Sequence, residues 1–179
     1  MLVTLLPLIY ILLRATEISG ANFQTLIFST RNLELTKNSL LLVLAVTTTA
    51  VFIGSLQAFL IQKTEMRFKV PLTFLAVLPL AIPSYIAAMS WMSSFRGVRG
   101  FLPAWGVLSF GTAPYVFLAV SAAFAISNPR VEEVARSLGR NNLQVFREVT
   151  WPAIRTAVAA SGLVVALYTL SDFGAVSLL

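Results

Sequence analysis

Four long apolar runs decide what this chain can fold into. They cover residues 39–61, 71–95, 105–126 and 156–171. Each is comparable with the roughly 20 residues that an α-helix needs to cross a hydrocarbon core of about 30 Å. Inside a bilayer every backbone N–H and C=O must be paired within the protein, so such runs become helices. Charged residues make up 11% of the sequence, against about 25% in a typical soluble domain. The expected fold class is therefore an all-α membrane protein, a polytopic bundle of transmembrane helices.

The interruptions in these runs are informative. The first carries only Gln57 and hydroxyl or small residues as polar relief. The second contains Pro71, Pro79 and Pro83, and an internal proline frees a backbone carbonyl that a neighbouring helix or cavity water must satisfy. A helix kinked in this way either lines a pathway or is a packing kink, and Pro79 and Pro83 are candidate pathway residues on the first reading. Trp91, Trp105, Trp151 and Tyr115 stand near run ends and fit an aromatic belt. Ala119 with Ala123, and Ala157 with Ser161 and Gly162, have the small-residue spacing at which transmembrane helices approach closely.

Several function classes are excluded. With no cysteine and no histidine, there is no disulfide, no Cys or His nucleophile, no thiolate zinc site and no Ser-His-Asp arrangement. The net charge of +6 does not signal nucleic acid, because the basic residues lie between apolar runs rather than along one face. They follow the positive-inside rule instead. If the short N-terminal run goes outward, the loops around residues 62–70 and 127–155 are cytoplasmic. They hold Lys63, Arg67, Lys69, Arg130, Arg136, Arg140, Arg147 and Arg155, whereas Arg14, Arg31, Lys37, Arg96 and Arg99 fall outside. Residues 1–13 lack a basic start and would rise only about 20 Å as a helix. The sequence stops inside the apolar "DFGAVSLL", so a piece of a longer protein is expected.

One stretch breaks the pattern: "NPRVEEVARSLGRNNLQVFREVTWP", residues 128–152. Asn128 and Pro129 form a helix start, with Asn as N-cap and Pro at the first helical position. Val131, Val134, Ala135 and Leu138 recur at helical spacing as one apolar stripe. Glu132, Glu133 and Arg136 occupy the other face, the two acids near the positive helix end. Gly139 supplies the left-handed residue that ends such a helix. Asn141 or Asn142 then caps a second short helix carrying Leu143, Phe146 and Val149, and Pro152 opens the last apolar run. A plain interfacial helix would favour Lys and Arg on its polar face, whereas two glutamates are repelled by anionic headgroups. A docking surface for another protein fits better.

At these residues the sequence resembles the EAA loop of ABC-transporter permeases of the type I importer class. Glu133-Val134-Ala135 is followed after three residues by Gly139, and after nine more by Val149-Thr150-Trp151-Pro152. The family pattern has Ala at 134, Ile at 149 and Leu at 151, so every departure keeps an apolar side chain. "PLAIPSYIAAMSW" and "LSDFG" look like segments of the ferric-iron permease branch. The resemblance covers residues 33–179 as an incomplete permease domain with a coupling loop at 127–152, preceded by a partial first helix and outer loop at 1–32. It implies a permease subunit, not an enzyme, in the bacterial inner membrane, taking up ferric iron by alternating access. Implied partners are a cytoplasmic ATPase dimer carrying the ATP and Mg, a periplasmic substrate-binding protein and a second permease half or subunit. Glu132, Glu133, Ala135, Arg136, Gly139 and Pro152 become the ATPase-coupling residues, with Glu133 pairing a basic residue of the ATPase. The chain itself has no GxxxxGK[ST] phosphate loop and holds no cofactor.

Asp172 is an acid inside an apolar run, which marks a pathway candidate by default. Lying some 20 residues past Pro152, it falls near the outer end of its helix, where water or a cap can satisfy it, and this structural reading is preferred. Within the importer class, sulfate, thiamine or phosphonate remain alternatives to iron. A secondary transporter or channel would require charges near the midplane, and an intramembrane enzyme a second acid or a lysine there.

Overall fold

The computed structural model describes residues 10, 29–95, 97, 99–172 and 176. The expected short first helix, Tyr10 apart, and the end of the chain beyond Asp172, Val176 apart, lie outside the described residues. All regular structure described is helical. In chain order there are α1 (Thr30–Lys63), α2 (Lys69–Val77), a 3₁₀ turn (Leu78–Ala81) and α3 (Ser84–Ser94). There follow α4 (Phe101–Ile126), α5 (Pro129–Ser137), α6 (Asn142–Val145), a π-helical turn (Phe146–Thr150) and α7 (Trp151–Ser171). Among the described residues, three spans are long and apolar enough to cross a membrane: α1, α4 and the continuous run Asn142–Ser171. A fourth appears if α2 and α3 count as one bent span.

The chain divides into two units at Leu40. In Met1–Leu40 the described part is chiefly the start of α1, where Ser29 Oγ accepts the Asn32 N–H at 3.3 Å. The second unit, Leu41–Leu179, is the helical bundle. Here α1 turns Leu42, Val46, Ala50, Gly54, Ala58 and Ile61 inward, a four-residue repeat that keeps one face of a helix. α4 buries Leu108, Thr112, Val116, Phe117, Val120 and Phe124, and α7 buries Ile154, Val158, Ser161, Gly162, Val165 and Thr169. The buried hydroxyls of Thr112, Ser161 and Thr169 each donate to the carbonyl four residues back, at 2.7–2.8 Å. No partner from another helix is then needed in an apolar interior.

Close approach is carried by Gly54. A Cβ built there would lie 2.6 Å from the Ala113 carbonyl and 2.8 Å from the Phe117 nitrogen, so the α1 and α4 backbones nearly touch. Ala50, Gly54 and Ala58 share the spacing expected of such faces, and this one outranks the pair at Ala119 and Ala123, which are half-buried. Gly162 is buried, and a Cβ built there would lie 3.3 Å from the Val51 side chain on α1. Trp105 is tied to the same helix: its Nε1 donates to the Ala45 carbonyl at 3.2 Å and to Thr49 Oγ1 at 3.1 Å. Tyr115, read from sequence as a belt residue, sits in mid-α4 with its ring centre 5.8 Å from that of Tyr168.

The second apolar run is not one kinked helix. It breaks into two short helices at 90°. The residue before a proline is pushed toward extended backbone, and Ile82, before Pro83, has φ −103° and ψ 113°. Pro79 is the second residue of the 3₁₀ turn, which closes with the Ile82 N–H on the Pro79 carbonyl at 3.1 Å. Pro83 then starts α3, its carbonyl accepting the Ala87 N–H at 3.1 Å. Two prolines four residues apart thus convert a span into a corner.

Candidate functional site

The polar hairpin is held at each turn by its own residues. Asn128 caps α5, its side chain accepting the Arg130 N–H at 3.0 Å. At the far end Gly139 has φ +81°, a conformation that costs a side-chain-bearing residue about 1–2 kcal/mol. The Gly139 N–H donates to the Arg136 carbonyl at 3.0 Å and the Arg140 N–H to the Ala135 carbonyl at 3.2 Å. Those two bonds make a Schellman closure. Asn141, rather than Asn142, caps α6 through a reciprocal box. Its side chain accepts the Gln144 N–H at 2.8 Å, while Gln144 Oε1 accepts the Asn141 N–H at 3.0 Å.

The second arm departs from the expected separate helix. After one turn, α6 passes into the π turn and on into α7 without a break. Pro152 explains the wide turn: it has no N–H, and in α register its ring would press on the carbonyl four residues back, at Glu148. The Trp151 N–H instead reaches the Phe146 carbonyl, five residues back, which is π geometry. The buried side chains of this arm are Val145 and Thr150, while Leu143 is exposed.

The first arm is turned against its amphipathic pattern. Val131, Val134 and Leu138 are 50%, 57% and 77% exposed. Glu132 points inward instead, its side chain only 13% exposed. One carboxylate oxygen, Oε1, accepts from Lys63 Nζ at 2.7 Å and from Thr150 Oγ1 at 2.9 Å. The carboxylate therefore joins the end of α1 to the entry turn of α7. Lys63 also lies 5.4 Å from the Phe124 ring centre, a cation–π arrangement. Phe59 packs beside it, 6.3 Å from Phe124 and 6.0 Å edge-on from Phe146. Ala135 is half-buried, one turn on from Glu132, while Glu133 and Arg136 are exposed. Pro152 is exposed in the first turn of α7. A second ion pair, Arg140–Glu148 at 3.3 Å, has both side chains half in solvent, and such pairs contribute little.

Burial by itself would raise the Glu132 carboxyl. The Lys63 and Thr150 hydrogen bonds, with the charges of Lys63 and Arg136, outweigh it and hold the group below its ordinary value of 4.5. A carboxylate depressed on folding contributes stability that is fully present above its unfolded value and lost as pH falls through the folded one. The protection of amides in residues 128–150, taken relative to the intrinsic exchange rate at each pH, should therefore hold from neutrality down to the ordinary glutamate range and fall only below it. Glu132→Gln should abolish that acid-induced step; an unchanged step in the variant would show that another group sets it.

The candidate pathway residues lie elsewhere. A cavity of about 550 Å³ opens between the bent span and α4, with Tyr168 of α7 reaching it. Pro79 and Pro83 line it, with Ser84, Trp91, Thr112 and Tyr115. The corner the two prolines create is what leaves this space open. Asp172 is absent from the lining. It is the residue that ends α7, its N–H on the Tyr168 carbonyl at 2.9 Å, and the Tyr168 phenol interacts with both Ser84 and Asp172. Sequence reasoning missed Lys63, Thr150 and Phe59 as parts of the hairpin site. Lys63 shows in the sequence only as the charge that closes an apolar run, and no spacing rule links it to a residue 69 positions away.

Residues 50–179 match the family described as binding-protein-dependent transport system inner membrane component. The Fe(3+)-transport system permease protein FbpB 2 of Haemophilus influenzae is 34% identical over 97% of this chain and 34% of its own length. The sulfate transport system permease protein CysT of Salmonella typhimurium is 26% identical over 98% of the chain and 69% of its own. The molybdate/tungstate permease WtpB of Pyrococcus abyssi is 22% identical, covering 80% and 59%. The chain thus spans about a third of the ferric relative and about two thirds of the sulfate one. The crystal structure of an amino acid ABC transporter with histidines has the same fold, with TM-score 0.51 at 20% identity, covering 76% of this chain and 71% of that one. A multi-pass helical bundle and the match over residues 50–179 agree: this chain belongs to the inner-membrane permease family of binding-protein-dependent ABC transporters.

Proposed function

We propose that the chain forms a membrane-spanning part of an ATP-driven importer in the bacterial inner membrane, with the hairpin 128–152 as the dock for a separate cytoplasmic ATPase. The observation that carries this reading is the inverted first arm. An amphipathic helix left to itself turns its apolar stripe to its own protein. Here Glu132 is anchored inward and Val131, Val134 and Leu138 face out. An exposed apolar stripe beside the free carboxylate of Glu133 suits a protein groove with a basic residue at its edge better than an anionic lipid surface. The Lys63–Glu132 contact supports a cytoplasmic placement, because it joins the two loops that the basic-residue bias assigns to that side.

On this reading ATP-driven closure of the ATPase dimer shifts the hairpin, and the helices above it tilt to expose the cavity to one face and then the other. A periplasmic binding protein supplies the solute, and a second permease half or subunit completes the pathway. The three relatives described above carry small inorganic ions by name, and the ferric one is the most similar of the three, so ferric iron is the proposed solute. Capture of the cognate ATPase by the complete permease should weaken about tenfold in Glu133→Lys, which corresponds to about 1.4 kcal/mol. Undiminished capture would remove Glu133 from the dock. Uptake of radiolabelled ferric iron, with sulfate and molybdate as competitors, tests the solute; uptake of either oxyanion in place of iron would overturn that choice.

A further inference from the structure

We propose that Lys63, Glu132 and Thr150 form the joint that passes hairpin movement to the transmembrane helices, with Glu132 as its positioning residue. The inference rests on the docking reading above and goes beyond it, because the groups concerned face into the permease and not toward the ATPase. Three elements meet at one oxygen atom. Glu132 stands on the docked arm, Lys63 on the last turn of α1 and Thr150 on the π turn that begins α7. A displacement of α5 therefore has a direct polar path into two spans.

The surroundings suit a joint rather than an incidental surface pair. The Lys63 and Glu132 side chains are 19% and 13% exposed, so screening by solvent is limited and the attraction is stronger than at the half-exposed Arg140–Glu148 pair. The Phe124 ring lies 5.4 Å from the Lys63 ammonium, and Phe59 links that ring to Phe146 on the π turn, so an aromatic cluster flanks the pair. The π turn is the weak place in the ladder of the Asn142–Ser171 run, where bending is cheapest. Beyond it α7 runs unbroken from Trp151 to Ser171. Tyr168 stands eighteen residues past Thr150, about 27 Å along a helix, and lines the cavity. Movement at the Thr150 end is thereby delivered to the cavity wall, next to Ser84 of the bent span. α1 takes the other half of the load and passes it to α4 through the Gly54 contact.

The test uses the complete transporter reconstituted in liposomes with its ATPase and binding protein. ATPase capture, ATP hydrolysis and solute uptake are measured on the same preparations. Lys63→Met should capture the ATPase within twofold of the unaltered protein and still hydrolyse ATP, while uptake per ATP falls at least tenfold. Lys63→Arg, which keeps the charge and reaches the same oxygen, should retain more than half of the uptake per ATP. Thr150→Val, which keeps the branched shape and removes only the hydroxyl that donates to Glu132, should lose about threefold. Wild-type uptake per ATP in Lys63→Met and Thr150→Val would overturn the joint, as would a Lys63→Arg variant as defective as Lys63→Met. Loss of ATPase capture in Lys63→Met would also overturn it, since the cluster would then only shape the dock. If the unaltered protein itself fails to capture the ATPase, it is the docking reading that falls.

Discussion

Gly54→Leu should leave no folded bundle, and even Gly54→Ala should lower stability by about 2 kcal/mol. The reason is that the atoms in the way are backbone. A Cβ at residue 54 meets the Ala113 carbonyl oxygen at 2.6 Å, Val116 Cβ at 2.7 Å and the Phe117 nitrogen at 2.8 Å. Backbone atoms inside a helix cannot rotate aside, so α1 and α4 must separate, and overpacking of this kind costs about 1–3 kcal/mol for a single group. Separation also opens the buried stripe from Val46 to Ala58, which forfeits dispersion along the whole contact. Gly106 provides the contrast. It lies in α4 with no atom within 4 Å of the Cβ position, so Gly106→Ala should gain up to about 1 kcal/mol from helix propensity. Thermal unfolding in detergent distinguishes the two: equal midpoints for Gly54→Ala and Gly106→Ala would sink the close-contact account.

The second large effect belongs to the outward stripe. Val134→Asp combined with Leu138→Asp should weaken ATPase capture by at least a hundredfold while leaving the melting temperature of the permease unchanged. The two side chains are 57% and 77% exposed, so the bundle loses no packing when they change. A partner that covers them does lose it. Burying such a side chain contributes about 1.5–3 kcal/mol, and a carboxylate in its place must be desolvated without a counter-charge. A hundredfold corresponds to about 2.7 kcal/mol, within reach of the lost burial alone. Capture at wild-type affinity would mean that the stripe faces something other than the ATPase. A lowered melting temperature would mean that it packs within the permease after all.

Much of this molecule was legible in the residues. The spans were visible because about 20 apolar residues in succession admit few structures but a helix. The hairpin was visible because capping is local: Asn128, Gly139 and Asn141 act on backbone groups within five residues of themselves. What failed to show was long-range or depended on exclusion. Pro79 and Pro83 announced a kink, but the 90° corner required both prolines to act on one turn. Tyr115 passed for a belt residue because an aromatic near a run end looks the same whether it meets headgroups or another ring.

The sequence by itself determined that this protein is helical, lies in a membrane and carries one polar hairpin with a family-like spacing. Periodicity, hydropathy and capping work over a few residues, and a chain displays them before it folds. Only the tertiary structure decided which way the hairpin faces. Glu132 and Glu133 are neighbours with the same chemistry, and either could have turned inward. Glu132 did so because the fold brings Lys63 and Thr150 to it, across 69 and 18 residues, and a half-buried carboxylate is stable only where donors await it. That placement leaves Glu133 and the apolar stripe on the outside, free for a partner.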